Sequence, residues 1–270
     1  MPIDPGTGLA ILGSGIGSAK LIEKILGPTA DYIGEGLRDF TEKRVNNIKR
    51  IFEVAHRQLG ERIEEDGQVP PRVLKAVLEE GSFVEDELSA QYFGGVLAAS
   101  RSKFDNDDRG TSFISIITKL SSYQLHLHFV AYSIMRKQFL GERLSVASVK
   151  DRSKLRTYID LFSLEQSFNL SSSKHFGNIL EHSAFGLSRE ALIENFAFGS
   201  PKNLVENYPE PDNVDLERDS FVFTPSAFGV ELFLWAHGNS NTSLEWFLSR
   251  TTEIESVKDV ELPEKYGAYN

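Results

Sequence analysis

Six histidines are the residues of this chain best suited to acid–base or metal chemistry, and their spacing favours neither. They are His56, His126, His128, His175, His182 and His237. His126 and His128 lie two positions apart, which on a helix turns them to different faces. His175 and His182 are two helical turns apart, too far for one metal ion, and no His-Glu-x-x-His sequence occurs. We therefore predict core or surface histidines and no metal site.

A glycine-rich stretch near the start of the chain suggests a phosphate-binding loop. Gly13, Gly15 and Gly17 follow Leu-Ala-Ile-Leu and would let backbone N–H groups approach a pyrophosphate. However, Ser18 occupies the third position of the fingerprint, and nothing downstream alternates strand and helix as a dinucleotide-binding domain does. A flexible arm or tight helix packing is the better interpretation, with Gly13 and Gly17 as an alternative small-residue face for helix pairing.

Three further patterns of catalytic or metal chemistry fail on a required residue. Asp105, Asp107 and Gly110 resemble the start of a calcium loop, but Ile116 stands where a bidentate glutamate is needed. No Gly-x-Ser-x-Gly elbow occurs, and the absence of cysteine excludes thiol chemistry. We therefore predict no catalytic residue, no cofactor-binding residue, no cofactor and a non-enzymatic protein. An enzyme whose site is assembled from residues distant in sequence is the less favoured alternative.

The charge balance argues against broad nucleic-acid binding. The chain has 29 basic and 39 acidic residues and a net charge of −10, whereas nucleic-acid binding needs a positive footprint. Basic residues between 38 and 62 alternate with acids, which favours a salt-bridged helix face. If this stretch did contact nucleic acid, Arg44, Lys49 and Arg50 would be the residues to mutate.

The first half of the chain is patterned as helices. Apolar residues at helical spacing predict one long amphipathic helix of roughly 35 residues from Thr29 to Ile63. Pro70-Pro71 predicts the start of a second helix, which Gly81-Ser82 ends. A third helix from Glu85 contains Gly94-Gly95, a pair that predicts close approach of another backbone. Two core helices follow the polar loop 105–110.

The second half predicts shorter elements. Residues 145–200 are typical of short helices divided by serine-rich turns, and residues 206–219 of an exposed acidic loop. Phe221-Val222-Phe223 predicts a strand, Thr224-Pro225 a helix start, and residues 228–235 an amphipathic helix. This strand–helix unit resembles the end of a winged-helix domain.

Together these patterns predict a mainly α fold: an N-terminal helical module with one long helix, then a winged-helix-like α+β C-terminal module. The predicted parts are a glycine-rich N-terminal arm (1–28), a helical domain (29–140), a winged-helix-like domain (141–245) and an acidic tail (246–270) that is loose at its end. The arm lacks the basic region of a secretory signal, and its apolar run falls far short of the ~20 residues that span a bilayer. We expect a cytoplasmic protein.

The stretch from Gly27 to roughly Leu140 resembles one family, and the remainder of the chain does so more weakly. ADYIGEGL, RVNNIKRIFEVA, VPPRVLKAVLEEGSFVEDEL, QYFGGVLAASRS and SFISIITKLS are similar to the abortive-infection alpha family of bacterial phage-resistance proteins. The resemblance implies a role in which an infected bacterium stops growing or dies before phage mature. It assigns no catalytic residues.

Three functional hypotheses follow. The first is a non-enzymatic defence protein that acts through protein contacts, by self-association or with another protein. The second is a winged-helix regulator that binds DNA, against which the net charge weighs. The third is a membrane-perturbing effector whose glycine-rich N-terminus inserts after a trigger.

Overall fold

The structure is a computed structural model that describes residue 24 and residues 42–103, 107–168, 175–207, 216–258 and 260–269. The described part is mainly helical and contains one antiparallel sheet of four strands. The chain divides into two compact units: Met1–Lys119 with Leu234–Asn241, and Leu120–Phe233 with Thr242–Asn270. The boundaries predicted at 140/141 and 245/246 both lie within the second unit.

The helices described in the first unit follow one another along the chain. They are α1 (Glu42–Leu59), α2 (Pro71–Gly81), α3 (Glu87–Ala99) and α4 (Gly110–Lys119). The part of α1 that faces the other helices carries Val45, Ile48, Ile51, Phe52 and Ala55, all buried. Its 3.6-residue periodicity is therefore the sequence feature that builds this core.

The predicted long helix is seen only in part. Residues 29–41 lie outside the described residues, and α1 ends at Leu59 rather than at the predicted Ile63. Gly60 has a left-handed φ of +49°, and a 3-10 turn follows over Gly60–Glu64. The left-handed backbone at Gly60 cannot continue an α-helix, which explains the earlier end.

The ends of the next two helices follow the predicted signals. Pro70 precedes α2 and Pro71 is its first residue, so the predicted proline start is confirmed. The third helix begins at Glu87 rather than at Glu85, because the Asp86 carboxylate caps it by accepting a hydrogen bond from Ser89 N–H at 2.8 Å.

The glycine pair of α3 lies against two other backbones, as predicted. A Cβ at Gly94 would overlap the Val54 side chain and the Ile51 carbonyl of α1. A Cβ at Gly95 would overlap the carbonyl group of Ala236. One turn earlier, the side chain of Gln91 donates a hydrogen bond to that same carbonyl at 3.0 Å. The predicted close approach is confirmed.

Lys24 is the described residue of the predicted arm 1–28. Its ammonium group contacts the Glu64 carboxylate at 2.5 Å and lowers the pKa of that carboxyl. Its carbonyl accepts a hydrogen bond from the Arg101 guanidinium at 3.0 Å. The glycine stretch 13–17 lies outside the described residues, as does Asp105 of the calcium-like pattern.

The second unit combines helices with the sheet. Its elements are α5 (Ser122–Gln138), α6 (Val149–Arg152), β1 (Thr157–Asp160), α7 (Leu161–Ser167), α8 (Phe176–Arg189), β2 (Ile193–Gly199), α9 (Pro201–Asn207), β3 (Ser220–Pro225), α10 (Ala227–Ala236) and β4 (Tyr266–Ala268). The last three residues of α10 belong to the first unit. The strand order is β2-β3-β1-β4, with antiparallel neighbours throughout.

Two of these strands correct the prediction of short helices over 145–200. β1 has four residues and ends at Asp160, whose carboxylate caps α7 through Ser163 N–H. β2 carries polar residues at Glu194 and Asn195, which break its alternation. Both strands depend on pairing with β3, which is distant from them in sequence. The centre of β3 is the apolar run Phe221-Val222-Phe223, and the prediction of a strand there is confirmed.

The predicted amphipathic helix after β3 is wrong in its start and in its polarity. Thr224 and Pro225 end the strand, and the Ser226 hydroxyl accepts a hydrogen bond from Gly229 N–H at 2.8 Å, as an N-cap does. The residues of α10 from Leu232 to Ala236 are all buried. Five successive buried residues leave no side of this half of the helix open to water, so the second half of α10 is a core helix.

The predicted loose end of the acidic tail is also wrong. Tyr266–Ala268 forms β4, which pairs with β1, and the next residue, Tyr269, is buried. The Tyr269 N–H donates to the Arg156 carbonyl at 2.8 Å. Of the predicted acidic loop 206–219, residues 208–215 lie outside the described residues, and α9 extends to Asn207.

A buried tyrosine joins α5 to the sheet region of the second unit. The Tyr132 hydroxyl accepts a hydrogen bond from Ser226 N–H at 3.0 Å and donates one to the Leu192 carbonyl at 2.5 Å. Complete burial raises the pKa of this phenol well above its ordinary value.

Replacing Tyr132 by phenylalanine is expected to lower the free energy of unfolding by about 1–3 kcal/mol, because it leaves a buried donor and acceptor unpaired. Because the pKa of Tyr132 is raised in the folded state, the protonated phenol contributes fully to the free energy of unfolding below the unfolded-state pKa of about 10. This contribution is lost as the pH rises above that value. Urea unfolding at pH 7 and near pH 10.5 measures both effects. The matched control is Tyr123→Phe on the same helix, where the side chain is 40% exposed and the change should stay below about 0.5 kcal/mol. Equal losses in the two variants would contradict this role of Tyr132.

Candidate functional site

The exposed side of α8 is the candidate functional site. Phe176, Leu180, Ala184 and Leu187 face inward at helical spacing and are buried. The same periodicity turns other side chains of the helix outward, and four of them concern the site. We call them the Phe185 face: Glu181, His182, Phe185 and Arg189.

A groove of about 460 Å³ runs beside these side chains. Gln124 of α5 forms its inner wall, and Gly186 of α8 makes room for the Gln124 amide, which a Cβ at that glycine would overlap. The Gln124 amide donates to the His182 carbonyl at 3.3 Å. The wall of the groove is thus fixed in place, because Gln124 also closes the capping box of α5 with Ser121.

An aromatic row continues from the face onto the sheet. Phe185 is 61% exposed and contacts the Phe196 ring edge-on, with the ring centroids 5.2 Å apart. Phe198 stacks on Phe196 at 6.3 Å, and both rings are half-buried. Phe185 is thus an exposed apolar side chain that is continuous with two half-buried rings, which makes the row a candidate contact point for a partner.

One Ser–His pair lies at the groove. Ser121 Oγ and His182 Nε2 are 3.1 Å apart. The same Ser121 oxygen accepts a hydrogen bond from Gln124 N–H as the cap of α5. Among the described residues, no carboxylate is bonded to the His182 ring, so the third member of a catalytic triad has no counterpart in this part of the chain. The geometry is that of a helix cap.

The other histidines are placed apart from one another. His128 is buried and bonds the Gly229 carbonyl at 3.1 Å, while His126 lies against the Phe168 ring at 4.4 Å. His56 and His175 are exposed, and His237 is buried. In the described ranges, no group of three or more His, Asp or Glu side chains could hold a metal ion.

The basic residues singled out on α1 are engaged in local contacts. Arg44 donates to the Ser82 hydroxyl at 2.8 Å and lies over the Phe83 ring at 4.2 Å. Arg50 pairs with Glu87 at 3.2 Å. Lys49, which directly precedes Arg50 in the sequence, is half-buried. Arg44 and Arg50 therefore serve packing and ion pairing within the first unit.

No known protein family, curated protein or solved structure matches the chain significantly. No helix in the described ranges is both long and apolar enough to cross a membrane.

A second groove of about 410 Å³ lies in the same unit beside β1 and β4. Acids and bases alternate around it, and the carboxylate of Asp160 already caps α7. It carries no apolar row like that of the Phe185 face. The sequence alone did not single out Phe185, although its spacing from the buried Leu180, Ala184 and Leu187 is the signal that would have placed it outside.

Proposed function

We propose that this chain is a non-enzymatic, cytoplasmic anti-phage protein of the abortive-infection type, and that it works by binding a protein through the Phe185 face. The phage-defence setting is supported by the resemblance of the stretch from Gly27 to roughly Leu140. The observation that supports a protein contact is the 61% exposed Phe185 at the head of an aromatic row.

The arrangement of the second unit supports a winged-helix interpretation. The chain passes from β1 through α7 and α8 to β2 and β3, and β3 lies between β2 and β1 in the sheet. In that interpretation α8 takes the position of the recognition helix, which in DNA-binding helix-turn-helix proteins enters the major groove. The exposed side chains of α8 then decide whether this helix binds DNA or a protein.

The charges on α8 favour a protein over DNA. The exposed side of the helix carries one acid, Glu181, and one arginine, Arg189, which also contacts Glu190 at 3.0 Å. DNA carries one negative charge per about 1.7 Å of duplex, and binding it requires a cluster of lysines and arginines. An aromatic centre with mixed charges around it is instead the common anatomy of a protein interface.

The test is phage infection of bacteria that carry the wild-type gene, no gene, or the Phe185→Glu variant. We expect the wild-type gene to protect the culture at low phage dose and to let it collapse at high dose. The Phe185→Glu variant should lose protection by on the order of tenfold or more, because a buried charge at the centre of an interface weakens binding by at least that factor. Immunoblotting is the control for equal accumulation of the two proteins.

The matched control is Phe162→Glu on α7, because Phe162 has the same 61% exposure. It should protect like the wild type, as should His56→Ala and His175→Ala at exposed histidines. No protection by the wild type across a varied phage panel would overturn the defence role. Full protection by Phe185→Glu would overturn the role of the face, and a salt-dependent gel shift with DNA would favour the regulator instead.

A further inference from the structure

We infer that the partner bound by the Phe185 face is a second copy of this chain, with the two α8 helices antiparallel about a two-fold axis at Phe185. This inference rests on the proposed protein-binding role of that face. It identifies the protein that binds the Phe185 face, which the proposed function leaves open.

The order of side chains along α8 is self-complementary. Glu181 lies four residues before Phe185 and Arg189 four residues after it, so acid, ring and base lie in one row on the helix. At about 1.5 Å of rise per residue, each charge stands roughly 6 Å from Phe185 along the helix axis. A two-fold rotation about Phe185 places Glu181 of each copy opposite Arg189 of the other, which forms two equivalent ion pairs.

The arginine can form this second contact without losing its present one. Arg189 touches Glu190 through Nε at 3.0 Å, and the Arg189 side chain is 65% exposed while that of Glu190 is largely covered. The guanidinium has five N–H donors, so its terminal nitrogens can bond a carboxylate of the second copy. The half-buried Phe196 and Phe198 widen the apolar centre beyond the Phe185 ring.

The charge of the whole chain makes this face a suitable place for two copies to meet. Each chain carries a net charge of −10, so most surfaces of one copy repel those of another. On the Phe185 face, Glu181 and Arg189 carry opposite charges, and the carboxylate of Glu190 beside Arg189 is largely covered by the protein. The equally exposed Phe162 is a useful contrast, because its helix, LFSLEQS, has an acid and no base.

The first test compares the mass of the full chain by sedimentation over a range of concentrations. We expect the wild type and Phe162→Glu to form a dimer, and Phe185→Glu to raise the dissociation constant by on the order of a hundredfold, through two charges placed at the centre. Glu181→Arg leaves only positive charges in the row and Arg189→Glu only negative ones. Each of these variants alone should dimerise more weakly than the wild type by on the order of tenfold or more.

An equimolar mixture of Glu181→Arg and Arg189→Glu is the decisive sample. In the mixed pair every charge of one copy faces its opposite on the other, so the mixture should dimerise as the wild type does. This rescue cannot result from misfolding of either variant. A mixture that stays as weak as its components would overturn the antiparallel arrangement.

The second test uses the absence of cysteine from the chain. A two-fold axis at Phe185 brings the two copies of that position together, so Phe185→Cys should form a cross-linked dimer under mild oxidation. Phe162→Cys, at the same exposure, should remain uncross-linked. Equal cross-linking of the two variants, or a wild type that is monomeric at every concentration, would overturn the inference. If Phe185→Glu still abolishes phage protection in that case, the protein-binding role stands and the occupant is a different protein.

Discussion

Gly95→Ala is expected to lower the free energy of unfolding by about 3 kcal/mol or more. The added methyl group would overlap the Ala236 carbonyl, which is backbone and cannot move aside as a flexible side chain can. Overpacking of well-packed cores costs typically 1–3 kcal/mol, and a clash with backbone belongs at or beyond the upper end. Urea unfolding followed by circular dichroism measures the loss.

The control is another helical glycine with free space around it. A Cβ at Gly177 of α8 meets no atom within 4 Å, so Gly177→Ala should stabilise the protein by up to about 1 kcal/mol. The two substitutions add the same methyl group and are expected to act in opposite directions. An unchanged unfolding midpoint for Gly95→Ala would show that the Ala236 backbone does not lie against α3.

Arg136→Met is expected to cost the second unit about 3 kcal/mol or more. The Arg136 guanidinium donates to the carbonyls of Phe247, Ser249 and Thr252, at 3.0 Å to the first and 3.2 Å to the second. Each hydrogen bond to a charged group contributes about 1.5–3 kcal/mol, and methionine keeps the apolar stem but removes all three. Burial also lowers the pKa of Arg136, which remains charged at neutral pH.

The neighbouring exposed Lys137 provides the comparison. Its ammonium lies 5.4 Å from the centre of the Tyr266 ring, an exposed cation–π contact worth about 0.5–1 kcal/mol. Lys137→Met should therefore lose below about 1 kcal/mol in the same urea experiment. Arg136→Lys should fall between the two methionine variants, because an ammonium cannot reach three carbonyls in the geometry of the guanidinium fork. Equal midpoints for Arg136→Met and Lys137→Met would contradict this role of Arg136.

The features that could be predicted from the sequence are those fixed by local chemistry. Pro71 starts α2 because proline suits the first turn of a helix, and Gly94-Gly95 signals close packing because glycine is costly inside a helix. The strands β1 and β4 could not be predicted in this way. Each is stabilised by a partner far along the chain, and a run as short as Tyr266–Ala268 has no pattern of its own.

The candidate site shows the same limit. Sequence motifs for catalysis and metal binding are made of polar side chains such as histidine, aspartate and serine. Phe185, by contrast, is a candidate because it is apolar and yet exposed. That property depends on which side of α8 is buried, and the buried side is set by packing in the second unit. A phenylalanine among Leu180, Ala184 and Leu187 is indistinguishable from core by composition alone.

The membership of residues 234–241 in the first unit has a consequence for how the chain folds during synthesis. Gln91 of α3 and Ala236 are separated by 145 positions. At about 5–20 residues per second, the ribosome therefore adds residues 234–241, which pack on Gly95, roughly 7 to 30 s after α3. Until then the surface of α3 around Gly95 and the Phe113 ring, on which Trp235 later stacks, stays uncovered. The unit that begins first along the chain is thus completed late. A nascent chain paused between these two points exposes an apolar surface that chaperones or other nascent chains can bind.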